Sequence, residues 1–178
     1  MNTKFLFAMS LLICFVKLAS AGETAENIFN NHQFLKKYLR TGETPDSVEI
    51  LQVKYGNDEV TPDATLNPVD IKNKPTQMHW TTEPDQLYTI MMLDNDTDYH
   101  VHWFHNNVKG NDIGSGSSMQ PYISPKANQT PHTYIFLVYK QTQKIPGALC
   151  VRTSRSFPLQ FAWAQNLTPL VAINIFKA

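Results

Sequence analysis

The chain has 178 residues, 42% of them apolar, and its fifteen Lys and Arg balance fifteen Asp and Glu. That length carries one domain with a real core. A neutral sum without any Lys/Arg-rich run argues against a basic face for nucleic acid or for anionic membrane, so no nucleic-acid partner is expected.

In chain order, Lys4 gives a positive start, Phe5 to Val16 an apolar stretch, and Ala19-Ser20-Ala21 a small-residue cleavage site. Residues 1–21 read as a signal peptide and 22–178 as a single domain, which makes the protein secreted and extracellular. The apolar stretch is too short to span a bilayer, and no later segment is long or apolar enough, so no transmembrane segment is expected. Lys4 and Lys17 leave with the leader and the remainder is slightly acidic. Cys14 leaves too, so Cys150 has no intramolecular disulfide partner and reads as a small buried hydrophobe. An intermolecular bridge and a Cys–His catalytic pair are weaker readings.

Residues 23–40 place Ile28, Leu35 and Leu39 at helical spacing, with Thr41-Gly42 as the stop. Val48 to Tyr55 alternates as a strand and ends at a Gly56-Asn57 turn. Pro62, Pro68 and Pro75 punctuate an irregular stretch up to Trp80. Leu87–Leu93 is a continuous apolar run, hence a buried central strand. Over His100–Asn107 a period of two sets Val101, Trp103 and His105 on one face and His100, His102 and Phe104 on the other. A Gly/Ser-rich loop, Gly110 to Ser118, follows. Tyr134–Gln141 is a further strand. Ser156 caps a helix carrying Phe157 and Phe161, Leu167-Thr168-Pro169 stops it, and Leu170–Phe176 is a last strand. The class is mainly β with peripheral helices (α+β), arranged as a sandwich.

The chemistry concentrates between Leu87 and Gln141. Asp94 and Asp96 follow one strand, His100, His102 and His105 lie in the next, and His132 precedes a third. Imidazoles carry protons that attract phosphate, and carboxylates orient them; such a set suits a phosphate monoester or a zwitterionic headgroup. The rival reading is zinc or manganese on His100, His102, Asp94 and Asp96, with an open position for hydrolysis, but H-x-H and D-x-D are short patterns. His105 reads as a satisfied core or edge histidine, His79 as structural and His32 as a solvated helix residue. No G-x-S-x-G supports a serine nucleophile. Three N-x-S/T sequons, Asn95, Asn128 and Asn166, are glycosylation candidates, with Asn128 the foremost because a glycan at Asn95 would obstruct the pocket.

The order of motifs resembles the phosphatidylethanolamine-binding protein family over nearly the whole domain. The resemblance rests on Val53-Lys54-Tyr55-Gly56, Leu66-Asn67-Pro68, Lys72-Asn73-Lys74-Pro75-Thr76 with Trp80, and Leu87-Tyr88-Thr89. It continues through Asp94-Asn95-Asp96, His102-Trp103, Gly110-Asn111-Asp112, Tyr122-Ile123-Ser124-Pro125, His132-Thr133-Tyr134 and Leu167-Thr168-Pro169-Leu170-Val171-Ala172. It implies a β-sandwich with a small anion-binding pocket at one end, formed by Asp94, Asp96, His102, His132 and Tyr134 with Pro125 on the rim. It also implies no cofactor and no established catalysis, and no metal site is expected. The implied partner is a phospholipid headgroup or, for a modulator of serine proteases, an extracellular protease. Departures fall at the pocket edge. Both prolines of the family's D-P-D-A-P are missing, the loop at Asp98–Tyr99 is shorter, and Ser124, Pro125-Lys126-Ala127 and Thr133 replace motif residues. His100 stands where tryptophan is frequent, and no helix follows Ala178 to flank the pocket.

Overall fold

In the computed structural model, residues 23–97, 100–127, 130–146 and 157–178 are described. Residues 1–21, read as a leader, Cys150, Asn128, Ser156 and the Asp98–Tyr99 loop expected to be shorter lie outside them, as does the side chain of Phe157. Helix α1 spans Ala25–Asn31, capped by the Thr24 hydroxyl, which accepts from the Asn27 N–H. The expected single helix over 23–40 breaks at His32, whose ψ of 71° leaves the helical region, and a 3₁₀ segment, Gln33–Tyr38, takes over. Ile28, Leu35 and Tyr38 are nonetheless all buried.

The strand expected over 48–55 is also divided. Strand β1 (Glu49–Ile50) and strand β2 (Gln52–Tyr55) belong to different sheets, with the chain crossing over at Leu51. Gly56, at φ 64°, turns β2 into β3 (Asp58–Glu59), and β4 (Gln77–His79) flanks β2 on its other side. The remaining strands are β5 (Leu87–Asp94), β6 (His100–Lys109), β7 (Ser117–Gln120), β8 (Thr133–Lys140) and β9 (Leu170–Lys177), with helix α2 (Phe157–Ala164) ahead of the last. They form a six-stranded sheet in the order β1-β9-β8-β5-β6-β7, antiparallel apart from the parallel β1–β9 edge, and it faces the three-stranded sheet β3-β2-β4.

The large sheet is buried on both faces, which is why its inner strands read as unbroken apolar runs. Along β8, Tyr134, Phe136 and Val138 point between the sheets and meet Val53, Met78 and Trp80. Ile135, Leu137 and Tyr139 point the other way, into a second core with Ile28, Phe29 and Phe161 from the helices. The sequence expectation of a sandwich with helices at its margins holds.

One expectation fails in β6. Leu93 pairs with Val101 but Met92 pairs with Trp103, so His102 is an extra residue in the ladder, a β-bulge. The period of two is lost there. Val101 and Phe104 share the helix-side core, and Trp103 turns into the core between the sheets. A second irregularity falls between Tyr88 and Ile90, opposite the stretch holding Asn107, whose φ is 59°. The Asn107 N–H donates to the Gln141 side chain there.

Candidate functional site: an acid–imidazole cluster at the sheet end

Asp94 closes β5 and is 3% exposed, a carboxylate committed to hydrogen bonds. Its Oδ1 accepts the backbone N–H groups of Asp96 (2.8 Å) and Thr97 (3.2 Å), the pattern of an Asx turn, and thereby shapes the turn that leaves the strand. Its Oδ2 lies 2.8 Å from His132 Nδ1 and 3.9 Å from His102 Nε2. Burial pushes the Asp94 carboxyl up, yet the hydrogen bonds from His132, Thr97 and Asp96 outweigh it and hold the group below the usual carboxylate range.

His102 is brought to Asp94 by the bulge. Its Nδ1 is 2.9 Å from the carbonyl of Ile123, so Nδ1 carries a proton and donates, and in the neutral ring Nε2 is left as the acceptor on the Asp94 side. Burial drives its pKa down, partly opposed by that carbonyl. The Ile123 N–H in turn donates to the His102 carbonyl, which clamps the 121–125 segment along β6. The Tyr134 ring sits edge-on to His102 at 5.1 Å, and burial raises its hydroxyl pKa far above the ordinary value, so it remains a neutral donor.

His132 is positioned from the backbone. Its N–H and carbonyl form a reciprocal pair with the carbonyl and N–H of Ala178, extending the β8–β9 ladder by one rung. These groups wall a hollow of about 380 Å³ at the end of the large sheet, together with Thr97, His100, Ile123, Ser124 and Lys126.

Four of the six residues read from the sequence thus converge: Asp94, His102, His132 and Tyr134. Asp96 stands beside the hollow with its carboxylate turned to the Thr133 N–H at 2.6 Å, serving the loop rather than the cavity wall. Pro125 is buried behind the rim, and its neighbours Ser124 and Lys126 line the cavity instead. His100, whose ring lies 5.2 Å from that of His102, and Lys126 were not among the expected pocket residues. The shared face of His100 and His102 was the available signal for the first.

Of the remaining histidines, His105 and His79 behave as read, whereas His32, read as a solvated helix residue, is half-buried at the break after α1. His105 uses both ring nitrogens, one to the Ser118 hydroxyl and one to the Ile113 carbonyl, each at 2.8 Å. His79 accepts from the Asn111 amide. His32 pairs with Asp63 at 2.8 Å. Among the described residues no group of three or more His, Cys, Asp and Glu is placed to hold a metal ion, and no helix is long and apolar enough to cross a membrane. Chemically, the cluster presents a buried acid flanked by two imidazoles, a phenol and an exposed ammonium, a set that favours a small polar ligand carrying negative charge.

Comparison with known proteins bears on the fold. No family model matches the chain. It is 32% identical over 109 residues to a 26 kDa secreted antigen of Toxocara canis, which covers 56% of this chain and 38% of that relative, so the chain spans well under half the relative's length. Among solved structures, the carboxypeptidase Y inhibitor, in complex with its cognate proteinase, superposes with a TM-score of 0.69 at 20% identity, covering 92% of this chain and 97% of that one. A phosphatidylethanolamine-binding protein from Plasmodium falciparum gives 0.59 at 14% identity, covering 84% and 94%. These likenesses, with the six- and three-stranded sheets and their open edges, establish that the chain has the fold of the phosphatidylethanolamine-binding protein family.

Proposed function

We propose that this protein is a secreted, non-enzymatic binding protein whose pocket takes the anionic end of a phosphate-bearing or zwitterionic headgroup, such as that of phosphatidylethanolamine. The carrying observation is the convergence of Asp94, His102, His132 and Tyr134 on one hollow at the sheet end. Secretion is supported by the leader-like residues 1–21 and by the name of the Toxocara canis relative. In this reading the phosphate meets His102, His132, the Tyr134 hydroxyl and Lys126. Asp94, the one acid on the wall among the described residues, is already engaged by Asp96, Thr97 and His132, and Asp96 is engaged by Thr133. The anion therefore carries most of the affinity, and the ammonium adds little.

Calorimetric titration tests this. Phosphorylethanolamine binds more tightly at pH 6 than at pH 8, because an anion favours protonated imidazole, and ethanolamine alone binds at least ~10-fold more weakly, about 1.4 kcal/mol. His132→Ala loses affinity by a similar factor. Unchanged binding in that variant, with the fold intact by circular dichroism, sinks the assignment.

A second reading is favoured by one observation, the likeness to a proteinase inhibitor. In it the scaffold modulates an extracellular serine protease through its loops. Inhibition that survives the double change of His102 and His132 to Ala would mark that case.

A further inference from the structure

Opposite the sheet-end pocket in function, though not claimed by it, is a feature at the end of α2. The helix closes in a Schellman motif: the Leu167 N–H reaches back to the Ala162 carbonyl at 2.8 Å and the Asn166 N–H to the Trp163 carbonyl at 3.1 Å. Asn166 occupies the left-handed position of that motif, with φ 50°, where Asn and Gly are the favoured residues. Leu167 supplies the accompanying apolar contact in the helix-side core. Helix closure thus accounts for the identity of residue 166.

It does not account for what surrounds it. Trp163 is 55% exposed, one of only three large exposed hydrophobics among the described residues. The i to i+3 turn brings it to the same side as Asn166, and the two line a hollow of about 450 Å³ with Leu39, Arg40, Thr41 and Thr168. The exposed Asn166 amide has its oxygen held by Arg40 Nη2 at 3.1 Å, while no bond to its Nδ2 is seen among the described residues. Thr168 stands two residues on and completes an N-x-T acceptor. The Arg40 contact uses the amide oxygen, and the nitrogen is the atom at which a glycan would replace one hydrogen.

We propose that Asn166 carries an N-linked glycan whose first sugars lie across the Trp163 indole and fill this hollow. N-linkage joins the amide nitrogen to the anomeric carbon of the transferred sugar. The lipid-linked oligosaccharide of the secretory pathway is the donor, its pyrophosphate is the leaving group, and the amide proton is lost. The apolar face of the sugar ring then covers the exposed indole, while its hydroxyls face Arg40, Thr41 and water. The proposal rests on the secretory reading above, so the experiment separates the two.

The full chain is expressed in a eukaryotic secretory host with its own residues 1–21, and in parallel with those residues replaced by an exogenous cleavable leader. Peptide mass spectrometry after amidase release in heavy-oxygen water reads occupancy at residue 166. Label at Asn166 in the second arm supports the site. Secreted protein from the second arm with no label at Asn166 overturns it, whatever the first arm shows; failure of the first arm alone indicts only the native leader. Asn166→Gly removes the acceptor while keeping a residue suited to the left-handed turn, and it must abolish the label. For the stacking, enzymatic removal of the glycan is expected to lower Tm by about 2–4 °C in the natural protein and to have no such effect in Trp163→Ala. Equal shifts in both would overturn the contact with Trp163.

Discussion

Asp94 is the residue on which the site depends, since one buried carboxylate both shapes the turn after β5 and orients His132. Asp94→Ala strands two backbone N–H groups and an imidazole, and hydrogen bonds to a charged group are worth roughly 1.5–3 kcal/mol each. With partial resolvation, a loss of about 3 kcal/mol is expected in urea unfolding; a loss below about 1 kcal/mol would mean the turn stands without it. His102 makes a different prediction. Its folded pKa is depressed, chiefly by burial, below the ordinary value of 6.5. The unfolded chain therefore binds more protons, and stability is full above that value and declines as pH falls through it. His105 is shifted in the same direction, also mainly by burial. The urea midpoint should be lower at pH 5.5 than at pH 7.5, and His102→Asn should remove part of that difference. An unaltered pH dependence in the variant would show that His102 is not the group responsible. Asp94, His132 and Tyr134 were legible in the sequence because their types and order are distinctive. The use of Asp96 as a cap on Thr133 was not, because an acceptor's choice between a ligand and a backbone N–H leaves no mark in the order of residues.

At the level of elements, two irregularities decide the layout of the site. The bulge at His102 turns Trp103 inward between the sheets and holds the imidazole against Asp94 and Ile123. Strict alternation put Trp103 on the same face as Val101, and no local signal such as Gly or Pro announces the extra residue. The crossing at Leu51 was hidden for a similar reason: β1 and β2 share one alternating pattern, and only their pairing with β9 or with β4 separates them. Asn174, on β9, is what ties this crossing down. Its Nδ2 donates to the carbonyls of Leu51 (2.8 Å) and Val60 (3.1 Å), while its buried Oδ1 has no hydrogen-bond partner among the described residues. Because two carbonyls would be orphaned, Asn174→Ala is expected to cost about 2–3 kcal/mol. Asn174→Asp should be at least as harmful, since it sets a carboxylate against those same carbonyls. Equilibrium unfolding of the two variants checks the order; an aspartate better tolerated than alanine would contradict the donor role.

Across the whole molecule, the apolar runs, the motif order and the helical margins made the sandwich legible, because a sheet covered on both faces leaves that imprint on its inner strands. The same burial has a thermodynamic consequence. Strands β5 and β8 send alternate side chains into the two cores, Met91 and Leu93 toward the helices and Ile90 and Met92 toward the small sheet. Neither core can be dismantled without releasing strands that complete the other, so the domain should unfold in one cooperative step. Fluorescence of Trp163, on the helix side, and near-ultraviolet dichroism of buried Trp80 and Trp103, between the sheets, are expected to report coincident urea transitions. Transitions that separate would show that the helical layer melts alone. The pocket is built on the ends of those same strands, so a ligand should stabilise the entire fold rather than a loop. At a free concentration a hundred times its Kd, phosphorylethanolamine should add about 2.7 kcal/mol to the single transition seen by both probes. A ligand that shifted only one probe would have bound to a part of the molecule able to fold by itself, and the coupling of both cores through β5 and β8 forbids such a part.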